Sequence, residues 1–283
     1  MSPFELHEPE TLAEAGSLLR RLGDATLLSG GTALVLLMKQ GLVHPEHVVS
    51  LRRVGDLRGI SRERDGGLRL GATTTLREVE RSPVVREFNG ALADACAAVA
   101  TVRIRNQAMV GGAIAHADPA QDPPVMLTAL DAEIVIAGDT GERREPIDGF
   151  FVDVLATSLG ATELITAVRV PPATAGARSA YLKYLPRTED DYATVSVGAA
   201  AARDADGRVA HVRVALGAVG PTVLRARAVE AALLGRRPAE GDLREAASLV
   251  RDEIDPFDDV RGSASYKREM ARVWTERALR AVL

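Results

Sequence analysis

Cysteine is nearly absent: Cys96 stands alone in 283 residues. One thiol closes no internal disulfide and cannot supply the about four ligands of an iron–sulfur cluster. It fits a reducing compartment. Aromatic residues are scarce as well, at 4%, so a core must be built mainly from Ala, Val and Leu. No excess of basic charge exists, since 35 Lys and Arg face 39 Asp and Glu for a net charge of −4. That balance offers nothing to nucleic acid or to an anionic membrane surface. No apolar run nears the roughly 18 residues of a membrane span. The first eight residues lack the basic start and apolar core of a signal peptide, and the chain reads as cytoplasmic. The common catalytic signatures are missing too: no Walker loop, G-x-G-x-x-G, G-x-S-x-G or H-E-x-x-H.

What remains is an ordinary globular composition, 46% hydrophobic and 26% charged, long enough for one large domain or two of usual size. The clearest element is a helix over 12–22, with Leu12, Ala15, Leu18, Leu19 and Leu22 on one face, Thr11 and Glu14 as a capping box and Gly23 as its stop. A strand over 25–28, a short helix over 33–39 and a strand over 48–51 follow. The charged, glycine-dotted stretch 52–66 reads as a surface connection between two lobes. Further on the pattern gives a strand over 68–72, Ala-rich helices over 83–99, a helix after an Asp122 cap and Pro123, a hairpin over 134–147 and a strand over 163–170.

The small-residue segment 171–176 marks a domain boundary. Beyond it lie strands over 181–184 and 195–202. Another strand has apolar even positions Ala210, Val212, Val214 and Leu216, and three helices follow over 225–234, 243–250 and 266–282. Strands and helices mix without a regular βαβ rhythm, which makes the fold α+β.

Few residues suggest chemistry by themselves. Of the five histidines only His44 and His47 lie close in sequence, two imidazoles short of a third metal ligand. Acidic groups such as Glu189-Asp190-Asp191 and Asp258-Asp259 read as solvated faces. Two glycine pairs stand out. Gly30-Gly31 sits between a strand and a helix, flanked by Ser29 and Thr32, and Gly111-Gly112 repeats the arrangement later. Each is either a tight turn or a loop whose backbone N–H groups can reach a phosphate, and two such loops could share one pyrophosphate.

The run Gly111-Gly112-Ala113-Ile114-Ala115-His116-Ala117-Asp118-Pro119-Ala120-Gln121-Asp122 resembles the second flavin loop of the medium, FAD-binding subunits of the molybdenum hydroxylases. Leu28-Ser29-Gly30-Gly31-Thr32-Ala33-Leu34 is similar to the first loop of that family. Glu163-Leu164-Ile165, Tyr181-Leu182-Lys183, Arg187-Thr188-Glu189-Asp190-Asp191-Tyr192-Ala193 and Arg261-Gly262-Ser263-Ala264-Ser265-Tyr266-Lys267-Arg268 match in the same order. The resemblance covers nearly the whole chain. It implies a two-lobed FAD-binding domain over 1–174, with lobes of about 1–55 and 56–174. A C-terminal domain of antiparallel sheet and helices follows over 175–283.

The resemblance also implies roles. Leu28, Ser29, Gly30, Gly31, Thr32 and Ala33 would line one pyrophosphate loop, and Met109, Val110, Gly111, Gly112 and Ala113 the other. Asp122, Ile165 and Lys183 match further FAD-contacting positions, and Tyr192 an aromatic near the flavin ring. Without the resemblance, Asp122 reads as a helix cap, Ile165 as a strand residue, Lys183 as a solvated edge and Tyr192 as a partly buried core aromatic.

Two positions depart from the family: Met109 replaces a usual Thr or Ser, and Ala113 a usual Asn or Asp. The loss of two side-chain hydrogen bonds, ~1 kcal/mol each, weakens affinity by roughly ten- to a hundredfold. The implied activity is FAD-dependent electron transfer. Electrons would come from two 2Fe–2S clusters on a small partner subunit, fed by a molybdenum-containing large subunit, and go to quinone, NAD or oxygen. Two other roles fit the same residues: a scaffold or ligand-binding protein that kept the fold and lost FAD, and a free-standing FAD oxidoreductase.

Overall fold

The computed structural model describes residues 2–186, 188 and 191–283. The first lobe is a parallel sheet of β1 (Glu5–His7), β2 (Thr26–Leu28) and β3 (His47–Ser50) in the order β1-β3-β2, crossed by α1 (Leu12–Leu22) and α2 (Leu34–Gln40). The α1 bounds are those the periodicity gives. Its cap differs by one bond: Thr11 accepts from the Glu14 N–H, but the Glu14 carboxylate reaches past Thr11 to the N–H of Glu10.

The second lobe is a five-stranded antiparallel sheet in the order β4-β5-β10-β6-β7. Its strands are β4 (Ile60–Arg62), β5 (Leu68–Gly71), β6 (Glu133–Gly138), β7 (Gly141–Pro146) and β10 (Leu164–Val170), with a small hairpin of β8 (Phe151–Asp153) and β9 (Ala156–Thr157) beside it. Helices α3 (Leu76–Arg81), α4 (Pro83–Phe88), α5 (Gly90–Ala97), α6 (Val102–Arg105), α7 (Val110–His116) and α8 (Asp122–Ala129) lie between β5 and β6 in the chain. Sequence reading passes over α3, although Thr75 and Glu78 form a complete capping box there.

The stretch expected as a surface connection is not one. Val54 and Leu57 are 1% exposed and pack with Ala15, Leu19, Leu51 and Leu164 in a cluster that ties the lobes together. Its charges face outward while Val54, between two short 3-10 turns, and Leu57, in the second of them, face in.

The C-terminal part is a four-stranded antiparallel sheet of β11 (Arg178–Tyr184), β12 (Val195–Arg203), β13 (Val209–Gly217) and β14 (Leu224–Arg225). It is backed by α9 (Arg227–Leu233), α10 (Glu240–Ser248), α11 (Val250–Glu253) and α12 (Ala264–Val282). A bulge after Ala202 pairs Arg203 with Val209, so Val209 is buried and Ala210, expected inside, is exposed. Phe150 is the one aromatic among the buried core residues described, in keeping with a core of Ala, Val, Leu and Ile. Among the described residues no helix is long and apolar enough to cross a membrane.

Every residue of α8 is buried, wedged between the second lobe and the C-terminal sheet. That fit depends on small residues in the strands it touches. A Cβ at Gly217 would stand 2.6 Å from Val125 Cγ2 and 2.7 Å from Ser196 Oγ, with no free volume to receive it. Gly217→Ala is therefore expected to cost about 1–3 kcal/mol by overpacking, read as a lower urea midpoint with an unchanged slope.

Candidate functional site

The two glycine loops come from different lobes and meet. In the first, β2 ends at Leu28 and the backbone reverses through Gly31, whose φ of +74° suits a residue without Cβ. Helix α2 then begins at Leu34. In the second, Met109 is the N-cap of α7 and bridges Thr75, while the N–H groups of Val110 and Gly111 donate to Thr74 and Ala72 carbonyls. This anchors the loop to the second lobe.

The glycines also govern how closely the two loops pack. A Cβ on Gly30 would lie 1.8 Å from the Gln107 carbonyl oxygen, and one on Gly111 2.7 Å from Ala72 Cβ. Gly112 faces Ser29, where a Cβ would be 3.2 Å from Ser29 Cβ. Gly30 and Gly111 let backbone approach backbone, whereas Gly112 meets only the Ser29 side chain. Beside that contact, the N–H groups of Gly30, Gly31, Thr32 and Gly112 donate to no acceptor among the described residues. Such groups at one place suit an anion.

A cavity of about 680 Å³ opens on these loops. It is lined by Leu28, Ser29, Gly30, Gly31, Thr32, Ala33, Met109, Gly111, Gly112, Ala113, Asp122, Ile165, Lys183 and Tyr192. The exception among the expected residues is Val110, which does not line the cavity and packs into the second-lobe core. Met109, 8% exposed, receives a hydrogen bond on its sulfur from the Ser29 hydroxyl at 3.1 Å.

Asp122 is not the helix cap its sequence suggests. Gln121 takes the N-cap position, and the Asp122 side chain turns into the cavity wall. There it accepts from Tyr181 Oη at 2.5 Å and from Lys183 Nζ at 3.0 Å. Lys183 also donates to the Ala98 carbonyl at 2.8 Å, and its side chain is 8% exposed, so it is no solvated edge. Burial raises the Asp122 carboxyl to about 6, against the pull of the Lys183 ammonium. Burial likewise pushes the Tyr181 hydroxyl well up and lowers the His116 imidazole.

Tyr192 sits at the cavity rim, 41% exposed, rather than in a core. Arg261 from the C-terminal motif holds it. The guanidinium lies 5.6 Å from the ring centroid, donates to the Tyr192 carbonyl at 3.2 Å and pairs with Asp191 at 2.9 Å. The neighbouring Arg187, Glu189 and Asp190 lie outside the described residues.

Several lining residues escape sequence reading. Leu36, Ile104 and Leu155 line the cavity yet remain 53%, 37% and 51% exposed, giving it an apolar rim. The signal for Leu36 is the unbroken apolar run of α2, which leaves no polar face for solvent. His116, Asp118 and Gln121, all within the second-loop run, line the cavity as well. His44 and His47 do not come together, since His44 faces Ser2 and His47 faces His7.

Comparisons with known proteins agree along the chain. Residues 2–173 match the family described as FAD binding domain in molybdopterin dehydrogenase, and residues 180–282 the CO dehydrogenase flavoprotein C-terminal domain. The chain is 38% identical over 279 residues to the carbon monoxide dehydrogenase medium chain of Hydrogenophaga pseudoflava, covering 98% of this chain and 96% of that one. A xanthine dehydrogenase FAD-binding subunit of Escherichia coli is 28% identical over 274 residues, covering 96% and 94%. The solved carbon monoxide dehydrogenase from Hydrogenophaga pseudoflava superposes with a TM-score of 0.95 at 39% identity, over 100% of this chain and 98% of that one.

Two outcomes follow from this geometry. Gly30→Ala should force the Gln107 backbone away and separate the loops. Fluorescence titration should then show a large loss of FAD affinity together with lower thermal stability, while Gly112→Ala, with only a 3.2 Å neighbour, should lose far less. The second outcome concerns pH. The Asp122 carboxyl titrates higher in the folded chain than its ordinary 3.8, so the folded state holds the proton more firmly. Its contribution is complete below about pH 4 and is lost as pH rises through about 6, at most ~3 kcal/mol in all. Urea unfolding across that range should show the step, and Asp122→Asn should remove it.

Proposed function

The chain belongs to the FAD-binding medium subunits of the molybdenum hydroxylase family, and from that premise we propose that it is the electron-transfer flavoprotein of a heteromeric complex. Its partners would be a molybdenum-containing large subunit, where substrate is oxidised, and a small subunit with two 2Fe–2S clusters. Quinone, NAD or oxygen would be the final acceptor. The division of labour suits a chain whose sole cysteine, Cys96, is buried and raised far above the usual thiol range by its apolar surroundings. We place the FAD-binding domain at 1–174, with the C-terminal domain at 175–283 closing the third side of the cavity.

The observation that carries this reading is that Gly30, Gly31, Thr32 and Gly112, whose N–H groups have no partner among the described residues, line one cavity of about 680 Å³, a size suited to a cofactor. The residues present fit FAD. The N–H groups of Gly30, Gly31, Thr32 and Gly112 would hold its pyrophosphate, with Leu28, Ser29, Ala33, Met109 and Ala113 around them. Val110 would act through the core that fixes the loop. Bound FAD supplies the redox chemistry, while the protein supplies position, charge and exclusion of water. At neutral pH Asp122 is ionised and balances Lys183; its protonation leaves the Lys183 ammonium as the net charge of that wall. Ile165 gives the wall an apolar patch. Tyr192, clamped by Arg261, would cover the entrance and limit solvent access to the ring.

Relatives named for carbon monoxide and for xanthine both match this chain over nearly its whole length, so the substrate would be selected on another subunit. A fold-retaining scaffold with weakened FAD binding is the competing reading, and Met109 favours it: its sulfur takes the Ser29 hydroxyl away from a ligand. The visible spectrum of the protein purified from its own source separates the two. The proposal expects oxidised-flavin bands, with molybdenum and iron copurifying in larger and smaller subunits. A colourless chain that takes up no added FAD would establish the scaffold, and flavin bands without either metal a free-standing flavoenzyme.

A further inference from the structure

The first sheet carries a cluster that the cavity does not use. Glu5 and His7 are two residues apart on β1 and so project from one face. The parallel register sets Glu5 beside His47 at the start of β3. Three donor groups converge as a result. His7 Nε2 and His47 Nδ1 are 3.2 Å apart, Glu5 Oε1 is 3.8 Å from His7 Nε2, and Glu5 Oε2 is 3.6 Å from His47 Nδ1. The rings are tilted by 51° with centroids 5.3 Å apart, so their nitrogens meet rather than their faces.

We propose that Glu5, His7 and His47 bind a divalent transition-metal ion of the zinc class, with water completing the coordination. Zinc holds imidazole nitrogen and carboxylate oxygen at about 2.0–2.2 Å, which in a tetrahedron separates the donors by roughly 3.3–3.6 Å. The donor separations already bracket that range, and a small movement of the Glu5 carboxylate closes it. Glu5 can make that movement because its side chain is 66% exposed, whereas His7 and His47 are held at 13% and 25%. Two nearly fixed imidazoles and one adjustable carboxylate form a preorganised ligand set. Calcium and magnesium are disfavoured, because they need six or more oxygen ligands and reject imidazole.

The site spans β1 and the start of β3, whereas the Ser29–Ala33 loop follows the far end of β2. The ion would cross-link β1, a three-residue edge strand, to β3 beside it. That role is independent of the flavin reading.

The test is calorimetric titration of the tag-free, chelator-treated full chain with Zn²⁺, paired with thermal melts. One ion should bind per chain, and the melting midpoint should rise by a few degrees at about 100 times the dissociation constant. His7→Gln and His47→Gln should abolish both effects. Glu5→Gln, at an exposed position that leaves folding intact, should weaken binding by at least roughly tenfold. His44→Ala should change neither. Absence of binding to the unaltered chain overturns the proposal, as does Zn²⁺ binding that persists unchanged in Glu5→Gln.

Discussion

The closeness of Gly30 to the Gln107 carbonyl governs the whole cavity side of the molecule. The two residues belong to lobes with unrelated sheets, one parallel and one antiparallel; among the described residues no hydrogen bond joins them, and the loops are bridged beside them by the Ser29 hydroxyl on the Met109 sulfur. Their contact is set by the packing beneath: Leu51, Val54 and Leu57 bring α1 of the first lobe against Leu164 of the second. Hydrophobic burial there, worth about 25 cal/mol per Å² of apolar surface, holds the lobes in the one orientation that lets the loops touch. The free N–H groups share a single cavity because of that orientation.

The third wall brings in the other constraint. Helix α8 is buried on all sides, and its first residue, Asp122, is linked to β11 through both Tyr181 and Lys183. An ion pair this deep is costly to desolvate, and losing either partner leaves an uncompensated charge. The pair ties β11 to the start of α8 at one place. It also places in a cofactor-sized cavity a carboxyl that changes charge near neutral pH.

Much of this was legible in the sequence where the cause was local. Thr11 and Gly23 delimit α1, the alternation of β13 shows most of its buried face, and the glycine pairs mark both loops. What escaped depended on distant partners. The Asp-Pro pair at 122–123 has the form of a cap, but a buried amine 61 residues away decides the direction of its carboxylate. The reason for Gly30 lies in Gln107, and that for His47 in His7, a pairing known only once β1 and β3 are in register. Val54 and Leu57 were hidden among charged neighbours, because 3-10 turns bury residues in and between them with neither helical nor strand periodicity.

The position of β10 has a consequence for how the chain reaches this structure. It is the last strand of its sheet in sequence and the central one in space, pairing with β5 on one side and β6 on the other. Until Leu164–Val170 has left the ribosome, β5 and β6 expose unsatisfied edges with no strand between them. The nascent second lobe is thus two hairpins and a set of short helices waiting for a keystone. Such a high-contact-order closure is slow, and it concentrates the aggregation risk in the interval before residue 170 is available.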